Sequence, residues 1–403
     1  MTDTAALLDH VWREDGARLL GALARRIGDL GLAEDALQEA AAEALRTWST
    51  DPPPNPAGWL ATTARRRAID RLRRADTEDT KLRVLAARAE EPAEDAGDDV
   101  VALLFGCCDP TLPADTRVML TLRAVCSLTV PEIASAFLTT PTAVTQRLTR
   151  CRRRLRDSGV TFQVPHPEEF APRLDSVLAT IYLLHNEGYL ATDASAGHRP
   201  DLVATSVRLG RELTTLMPRE TEVAGLTALM ELNQARGGQR LDRDGGLLLL
   251  GEQDRHAWDQ RLIAQASTRL ERALARRRPG PYQVQAAIVA LHTQAPDVAG
   301  TDWRQIRLLY DRLYTLRPAA LVRLSRAVAT WHVRGAGAAL DEVDALRADL
   351  EGNRLFHATR SRLLEDLGRL DEATEATRRA VGLAMNPAER RLLGRRLHAL
   401  SAR

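Results

Sequence analysis

Lysine is nearly missing from this chain: Lys81 stands alone among 56 basic residues, so almost every positive charge is a guanidinium. GC-rich coding produces that bias, and arginine number alone assigns no function. Aromatic residues are also scarce, at 4%, while Ala, Leu and Arg dominate. That mixture favours helix and disfavours sheet. No apolar run approaches the ~18 residues of a membrane-spanning helix. The first ten residues, Met1 to His10, have neither a basic start nor an apolar core, so no secretory signal is expected and a cytoplasmic location is. The four cysteines, Cys107, Cys108, Cys126 and Cys151, include no Cys-x-x-Cys pair and are too few to staple 403 residues. Buried free thiols in a reducing compartment are expected, and no metal site. Walker loops, dinucleotide-type glycine fingerprints, metal-ligand His pairs and Gly-x-Ser-x-Gly elbows are all missing. The nine histidines are scattered. Neither catalytic residues nor a cofactor are expected, and the chain reads as a non-enzyme.

Charge is present in abundance and unevenly placed. The net charge is only +2, yet residues 76–99 hold nine acidic and three basic residues between two stretches, 65–74 and 147–156, that each carry six arginines in ten positions. Fields decay over about 8 Å at physiological salt. Local patches therefore matter more than the sum, and two basic patches on one tether suit a protein that meets nucleic acid at two places.

The length allows two or three domains. Leu7, Leu8 and Val11, then Leu19, Leu20, Leu23 and Ile27, then Ala36, Leu37, Ala40 and Leu45 repeat at three and four, predicting helices over 7–48 with a break near Gly28 and Gly31. The run from Asp51 to Pro56 reads as a rigid loop, with a helix starting near Ala57. Residues 76–97 read as an acidic linker, 98–160 as a second small helical domain, and 161–167 as an extended connector, since residues before proline avoid helix. From 168 to 403 the pattern is helix after helix: 171–190, 200–217, 221–236, 254–278, 281–294, 302–316, 319–334, 337–350, 354–367, 371–384 and 387–401. Gly368, Ala373, Ala380 and Pro387 nearly follow the spacing of a tetratricopeptide hairpin, with Pro387 two places late. A similar hairpin turns at Gly335, 33 residues earlier, against a usual period of about 34. The expected fold class is all-α: two small helical domains, the second with a helix-turn-helix, followed by a helical-hairpin array.

The helix-turn-helix is written across 129–156. Val130 to Phe137 forms the first helix, Leu138 to Thr140 the turn, and Thr140 caps a second helix with Pro141 at its first position. Ile133, Ala134, Phe137, Val144 and Leu148 are spaced to hold the two together. Thr140, Thr142, Ala143, Thr145, Gln146 and Arg147 then occupy the start of a recognition helix, where short polar groups and Gln/Arg suit base edges. Arg150 and Arg152 to Arg154 can follow phosphates. The first basic segment mixes Trp59, Thr62, Thr63, Arg66, Arg67, Asp70, Arg71 and Arg74, giving a base a face to stack on and a phosphate something to meet, which suits melted DNA. Trp59 reads equally well as a core residue.

Ala33-Glu-Asp-Ala-Leu-Gln-Glu-Ala40, Trp48, Asn55-Pro-Ala-Gly-Trp-Leu60 and the arginine run ending at Arg74 resemble domain two of extracytoplasmic-function (ECF) sigma factors of RNA polymerase. Residues 98–157, with Phe105-Gly-Cys-Cys-Asp-Pro-Thr-Leu112, resemble domain four. His185-Asn-Glu-Gly-Tyr189, Glu252-Gln-Asp-Arg-His-Ala-Trp258 and Gly280-Pro-Tyr-Gln-Val-Gln-Ala286 resemble the subfamily with a large tetratricopeptide-like C-terminal extension. The resemblance implies that residues 1–75 bind core polymerase and the −10 element, with Asp35, Gln38 and Glu39 on the β′ clamp. It implies that 59–74 recognises and melts the −10 element and that 141–154, with Arg153, reads the −35 element. Its implied partners are the core polymerase, at β′ clamp and β flap, and promoter DNA. Two positions depart from the family pattern: Asp109 stands where a His is expected, and Val125-Cys126-Ser127 where a Gly-rich run is expected.

The size of the extension suggests regulation by contact with the sigma domains or the polymerase. Asn186, Glu187 and Tyr189 read as a helix end at Gly188 rather than a site, and Gln253, Asp254, Arg255 and Trp258 as capping and packing groups. The other functional reading is a one-component helix-turn-helix regulator with a helical sensory domain. It needs no second, aromatic-bearing surface such as 59–74.

Overall fold

A computed structural model describes all residues except 1, 50, 51, 76–98, 138, 165–169, 190–199, 241, 243–245, 385 and 403. The proposed linker and residues 165–167 of the 161–167 connector lie outside the described residues. The chain divides into two compact units, Met1–Leu184 and His185–Arg403. The fold is all-α.

Unit one starts with α1 (Thr2–Ile27), α2 (Leu30–Thr47) and α3 (Pro56–Ala75). Gly28 turns the chain between the first two at φ +71°, a conformation open to glycine at little cost. Asp29 then caps α2, its carboxylate accepting from the Leu32 amide at 3.1 Å. Asn55 does the same for α3 through the Gly58 amide at 2.9 Å. Leu60, Ala64, Ala68 and Leu72 recur every fourth residue on α3 and are all buried. Ala36, Leu37, Ala40 and Ala44 of α2 are buried likewise; α2 and α3 pack on each other, and α1 packs on both.

Four more helices follow: α4 (Asp99–Cys107), α5 (Ala114–Ala124), α6 (Val130–Ala136) and α7 (Pro141–Asp157). In α4 every residue from Val101 to Cys107 is buried. A helix apolar all round needs cover on all sides; α1 supplies one side and α5 another. Between α5 and α6 the chain passes through Ser127 at φ +55°. That left-handed position explains why glycine is the expected residue in this stretch, and a β-carbon there costs about 1 kcal/mol. The helix α8 (Phe170–Tyr189) crosses the boundary between the units. Its first part belongs to unit one. The Cys108 thiol donates to the Thr180 hydroxyl at 3.4 Å, Arg117 binds Ser176, and Arg173 pairs with buried Asp109 at 3.4 Å. Asp109 thus has a partner that a histidine could not have in the same way.

Unit two is a succession of antiparallel helices: α9 (Pro200–Leu216), α10 (Thr221–Ala235), α11 (Gln260–Leu274), α12 (Pro281–Gln294), α13 (Trp303–Leu316), α14 (Ala320–Arg334), α15 (Ala336–Asp344), α16 (Arg347–Leu350), α17 (Arg354–Asp366), α18 (Leu370–Leu383) and α19 (Pro387–Ser401). Most pack chiefly on their sequence neighbours, but α12 packs chiefly on α10, past α11. Gly335 and Gly368, at φ +86° and +74°, make the turns expected at those positions. The helix expected over 254–278 is broken. A short 3₁₀ turn spans Arg255–Ala257, Trp258 is extended, and Asp259 caps a fresh start by accepting from the Leu262 amide at 2.9 Å. The helix expected over 337–350 is likewise split around Ala345 and Leu346.

Candidate nucleic-acid interface

The helix-turn-helix forms as its residues dictate. Thr129 and Glu132 cap α6 reciprocally: the Glu132 carboxylate accepts from the Thr129 amide at 2.7 Å, and the Thr129 hydroxyl accepts from the Glu132 amide at 3.4 Å. The Thr140 hydroxyl accepts from the Ala143 amide at 3.2 Å and opens α7 behind Pro141. Ile133, Ala134, Val144, Leu148, Cys151 and Leu155 are buried between the helices, with Phe137 half-buried. The spacing of four, three and four along α7 turns the rest of that helix outward. Thr142, Thr145, Gln146, Arg150 and Arg153 are exposed, while Ala143 and Arg147 are half-buried. Arg147 pairs with Asp115 at 3.2 Å. Arg152 does not lie in the phosphate-following row expected of it: it pairs with Glu34 at 2.6 Å. Burial pushes the Cys151 thiol up to about 12, so it stays protonated and unreactive.

On α3 the expected residues divide in two. Thr62 and Arg66 are exposed; Trp59, Thr63, Arg67, Asp70 and Arg71 are half-buried. The side chain of Arg74 lies outside the described residues. Trp59 stands edge-on to buried Trp48, ring centroids 5.5 Å apart, and keeps part of its surface open. Trp59 is thus packed into the core on one side and open on the other. Arg67 donates to Glu43 at 2.7 Å; Arg71 donates to Asp35 at 2.9 Å and also to Glu39. These hydrogen bonds raise both guanidinium pKa values above the ordinary arginine range. Two of the residues expected on the polymerase face are thus tied to one expected on the DNA face. Gln38 is exposed beside them, and Leu45, half-exposed, continues the same face of α2 at a helical spacing from Asp35 and Gln38.

Sequence reasoning passed over Glu34, Glu43 and Arg123. A signal existed for Glu34: in Leu30-x-x-Ala33-Glu34-x-x-Leu37 it falls on the apolar stripe, where a carboxylate needs a partner. In unit two, Asp254 caps the 3₁₀ turn through the His256 amide at 2.9 Å. Buried Arg255 donates to the carbonyls of His292 and Ala295 at 2.7 and 2.8 Å, and Arg236 and Arg255 both lie over the Trp258 ring. These groups hold the helix junction together. The helix carrying Asn186 and Glu187 ends at Tyr189, next to the buried Gly188.

Known families match this architecture in order along the chain. Sigma-70 region 2 matches residues 12–78, sigma-70 region 4 matches 105–155, and a family of unknown function (DUF6596) matches 173–274. An uncharacterized protein of Rhizobium meliloti (strain 1021) is 41% identical over the full chain and 97% of its own length. A Probable ECF RNA polymerase sigma factor SigI of Mycobacterium tuberculosis is 28% identical across 38% of this chain and 56% of that protein. Region 2 on α1–α3 and region 4 on α4–α7, joined to a helical extension, define a sigma factor of the sigma-70 class. The chain belongs to the ECF group of that class, a family that is not a class of enzymes. Among the described residues no helix is long and apolar enough to cross a membrane.

Proposed function

We propose that this protein gives core RNA polymerase its promoter specificity, with α7 reading the −35 element and α3 recognising and melting the −10 element. The observation that carries this is the split face of α7. Val144, Leu148, Cys151 and Leu155 are buried, while Thr142, Thr145, Gln146, Arg150 and Arg153 stand out where base edges and phosphates can be met. On α3, Thr62, Arg66 and the open part of Trp59 offer a stacking face beside a cation, the chemistry that traps an unpaired base. Opening DNA costs a few kcal/mol per unstacked base, which such a trap offsets. Gln38 and Leu45, beside the Asp35–Arg71–Glu39 ladder, form the face offered to the β′ clamp, and domain four meets the β flap. Unit two acts as a tetratricopeptide-like regulatory module. Its stacked hairpins suit protein or peptide contact.

The test is to mix the protein with sigma-free core polymerase and run transcription from the DNA upstream of its own gene. Binding with a defined start site is the expected result. Tight duplex binding by the protein alone, with no affinity for core polymerase, would overturn it in favour of a one-component regulator.

A further inference from the structure

Unit two holds a third arginine-dense stretch. Residues 269–278 carry five arginines and one glutamate. Arg269, Arg272 and Arg276 recur at three and four, so they share one face of α11 and the turn after it. That face lines a cavity of about 570 Å³, bounded also by the end of α9 and the start of α10. Thr268 and Gln265 of α11 and Thr221 of α10 add hydroxyl and amide groups to the lining. Ligand pockets span about 300–1,000 Å³, so the space suits a small molecule.

The charges at this cavity do not cancel. Arg269 donates to Glu231 through Nε at 3.1 Å and Nη2 at 3.4 Å, and Arg211 donates to the same carboxylate at 2.7 Å. Glu231 is 1% exposed. One buried carboxylate meeting two arginines holds Arg269 in place and leaves one positive charge in excess. Arg272 and Arg276 are exposed and, among the described residues, pair with no carboxylate; Arg276 reaches the Arg219 carbonyl at 3.5 Å. Three further acids are neighbours of these residues in the chain. Glu222 is engaged elsewhere, accepting from the Tyr282 and Gln283 amides at 2.9 and 3.1 Å at the start of α12. Glu271 is not part of the lining. Glu220 is, and is exposed, one carboxylate against three guanidiniums.

We propose that this cavity binds a small phosphorylated anion with two or more negative charges, of the sugar-phosphate or pyrophosphate kind. Guanidinium forks match phosphate oxygens two at a time. The threonine hydroxyls and Gln265 meet the polar body of such a molecule. The described lining contains no aromatic ring, so an unpaired base finds no stacking face there. That separates this basic stretch from α3, which carries Trp59. The proposal goes beyond the sigma-factor reading and does not depend on it, because the anion binds unit two of the free protein.

The experiment titrates inorganic pyrophosphate into the full chain by calorimetry at physiological salt, without polymerase. Arg272→Gln with Arg276→Gln removes two cations from the lining. Arg277→Gln with Arg278→Gln removes two exposed cations of the same stretch that lie outside it. All four side chains are exposed, so helix content by circular dichroism should match wild type. The arginines of unit one are the same in every form, so the difference between the variants reports the cavity. Wild type should bind pyrophosphate about tenfold or more tighter than sulfate, and the first variant should lose about tenfold or more, the worth of a charge-assisted hydrogen bond. The second variant should change affinity by less than about threefold, as screened surface charges do. Ala264→Glu, which sets a carboxylate on the exposed lining, should weaken binding as the first variant does. Equal losses in the first two variants overturn the proposal, since they mark a diffuse charged surface. Sulfate bound as tightly as pyrophosphate overturns it too, as does a first variant or Ala264→Glu that binds like wild type. A single-stranded oligonucleotide whose affinity falls in both arginine variants would replace it with a nucleic-acid surface.

Discussion

Arginine is the common cation of both units, and it is used differently in each. In unit two it ties helix to helix across hairpins: Arg326 to Glu342 at 3.3 Å, Arg360 to Asp344 at 2.7 Å, Arg396 to Glu365 at 2.7 Å. In unit one the arginines sort into two populations. Arg67, Arg71, Arg123, Arg152 and Arg156 return to carboxylates on other helices of the same unit, whereas Arg66 and Arg150 stay on the surface and Arg153 meets only Asp157 of its own helix, at 3.7 Å, with its side chain open. The density of a basic run therefore says little about its use. What decides is whether the fold brings an acid within reach of each guanidinium, and only the outward population is available to phosphate.

The sharpest way to break the comparison is to cut the chain. The first part of α8 supplies Val177, Thr180 and Ile181, all buried, to unit one. Ending the chain before residue 168 should cost domain four several kcal/mol, since each buried aliphatic group contributes about 1.5–3 kcal/mol. Ending it after residue 189 should leave the α4–α7 core intact. Segment-resolved hydrogen exchange on both truncations separates the two outcomes.

Acid is the next largest lever. His185 and His292, both in unit two, are lowered to about 4, mainly by burial. Between the unfolded value near 6.5 and the folded value near 4 the unfolded state binds the proton and the folded state does not. Stability of unit two is therefore full above pH 6.5 and lost as pH falls toward 4, by roughly 3 kcal/mol per histidine at 1.36 kcal/mol per unit. Equilibrium unfolding at pH 7.5, 5.5 and 4.5 should show this loss. A curve flat in pH would remove the difference between the units.

Smaller effects sharpen the description of unit one. Gln146→Ala should cost about 1–3 kcal/mol of discrimination at one base pair of the −35 element and nothing in folding, read by competition among single-base variants of the duplex. Ser127→Gly relieves the left-handed φ of +55° and should add about 1 kcal/mol to the stability of unit one, read as a shift of the denaturant midpoint.

Much of this was legible in the sequence because local signals agreed with the fold. Thr140 before Pro141, Gly28, Gly335 and Gly368 mark helix ends by mechanisms that need no tertiary partner. The break at Trp258 was hidden because it depends on Arg236 and Arg255 closing over that ring from elsewhere. The Asp35–Arg71–Glu39 ladder was hidden for the same reason: its members are 32 and 36 residues apart in the chain. Sequence placed these three on two separate surfaces. Contact makes them one.

The buried helix α4 carries a thermal consequence. A segment with no wet face is covered on one side by α1 and on another by α5 through apolar contact, which weakens on cooling, while an exposed pair on the same domain, Arg147 with Asp115, weakens with added salt. The two kinds of contact thus answer to different physical variables. Cold should loosen the cover of α4, and salt should leave it in place.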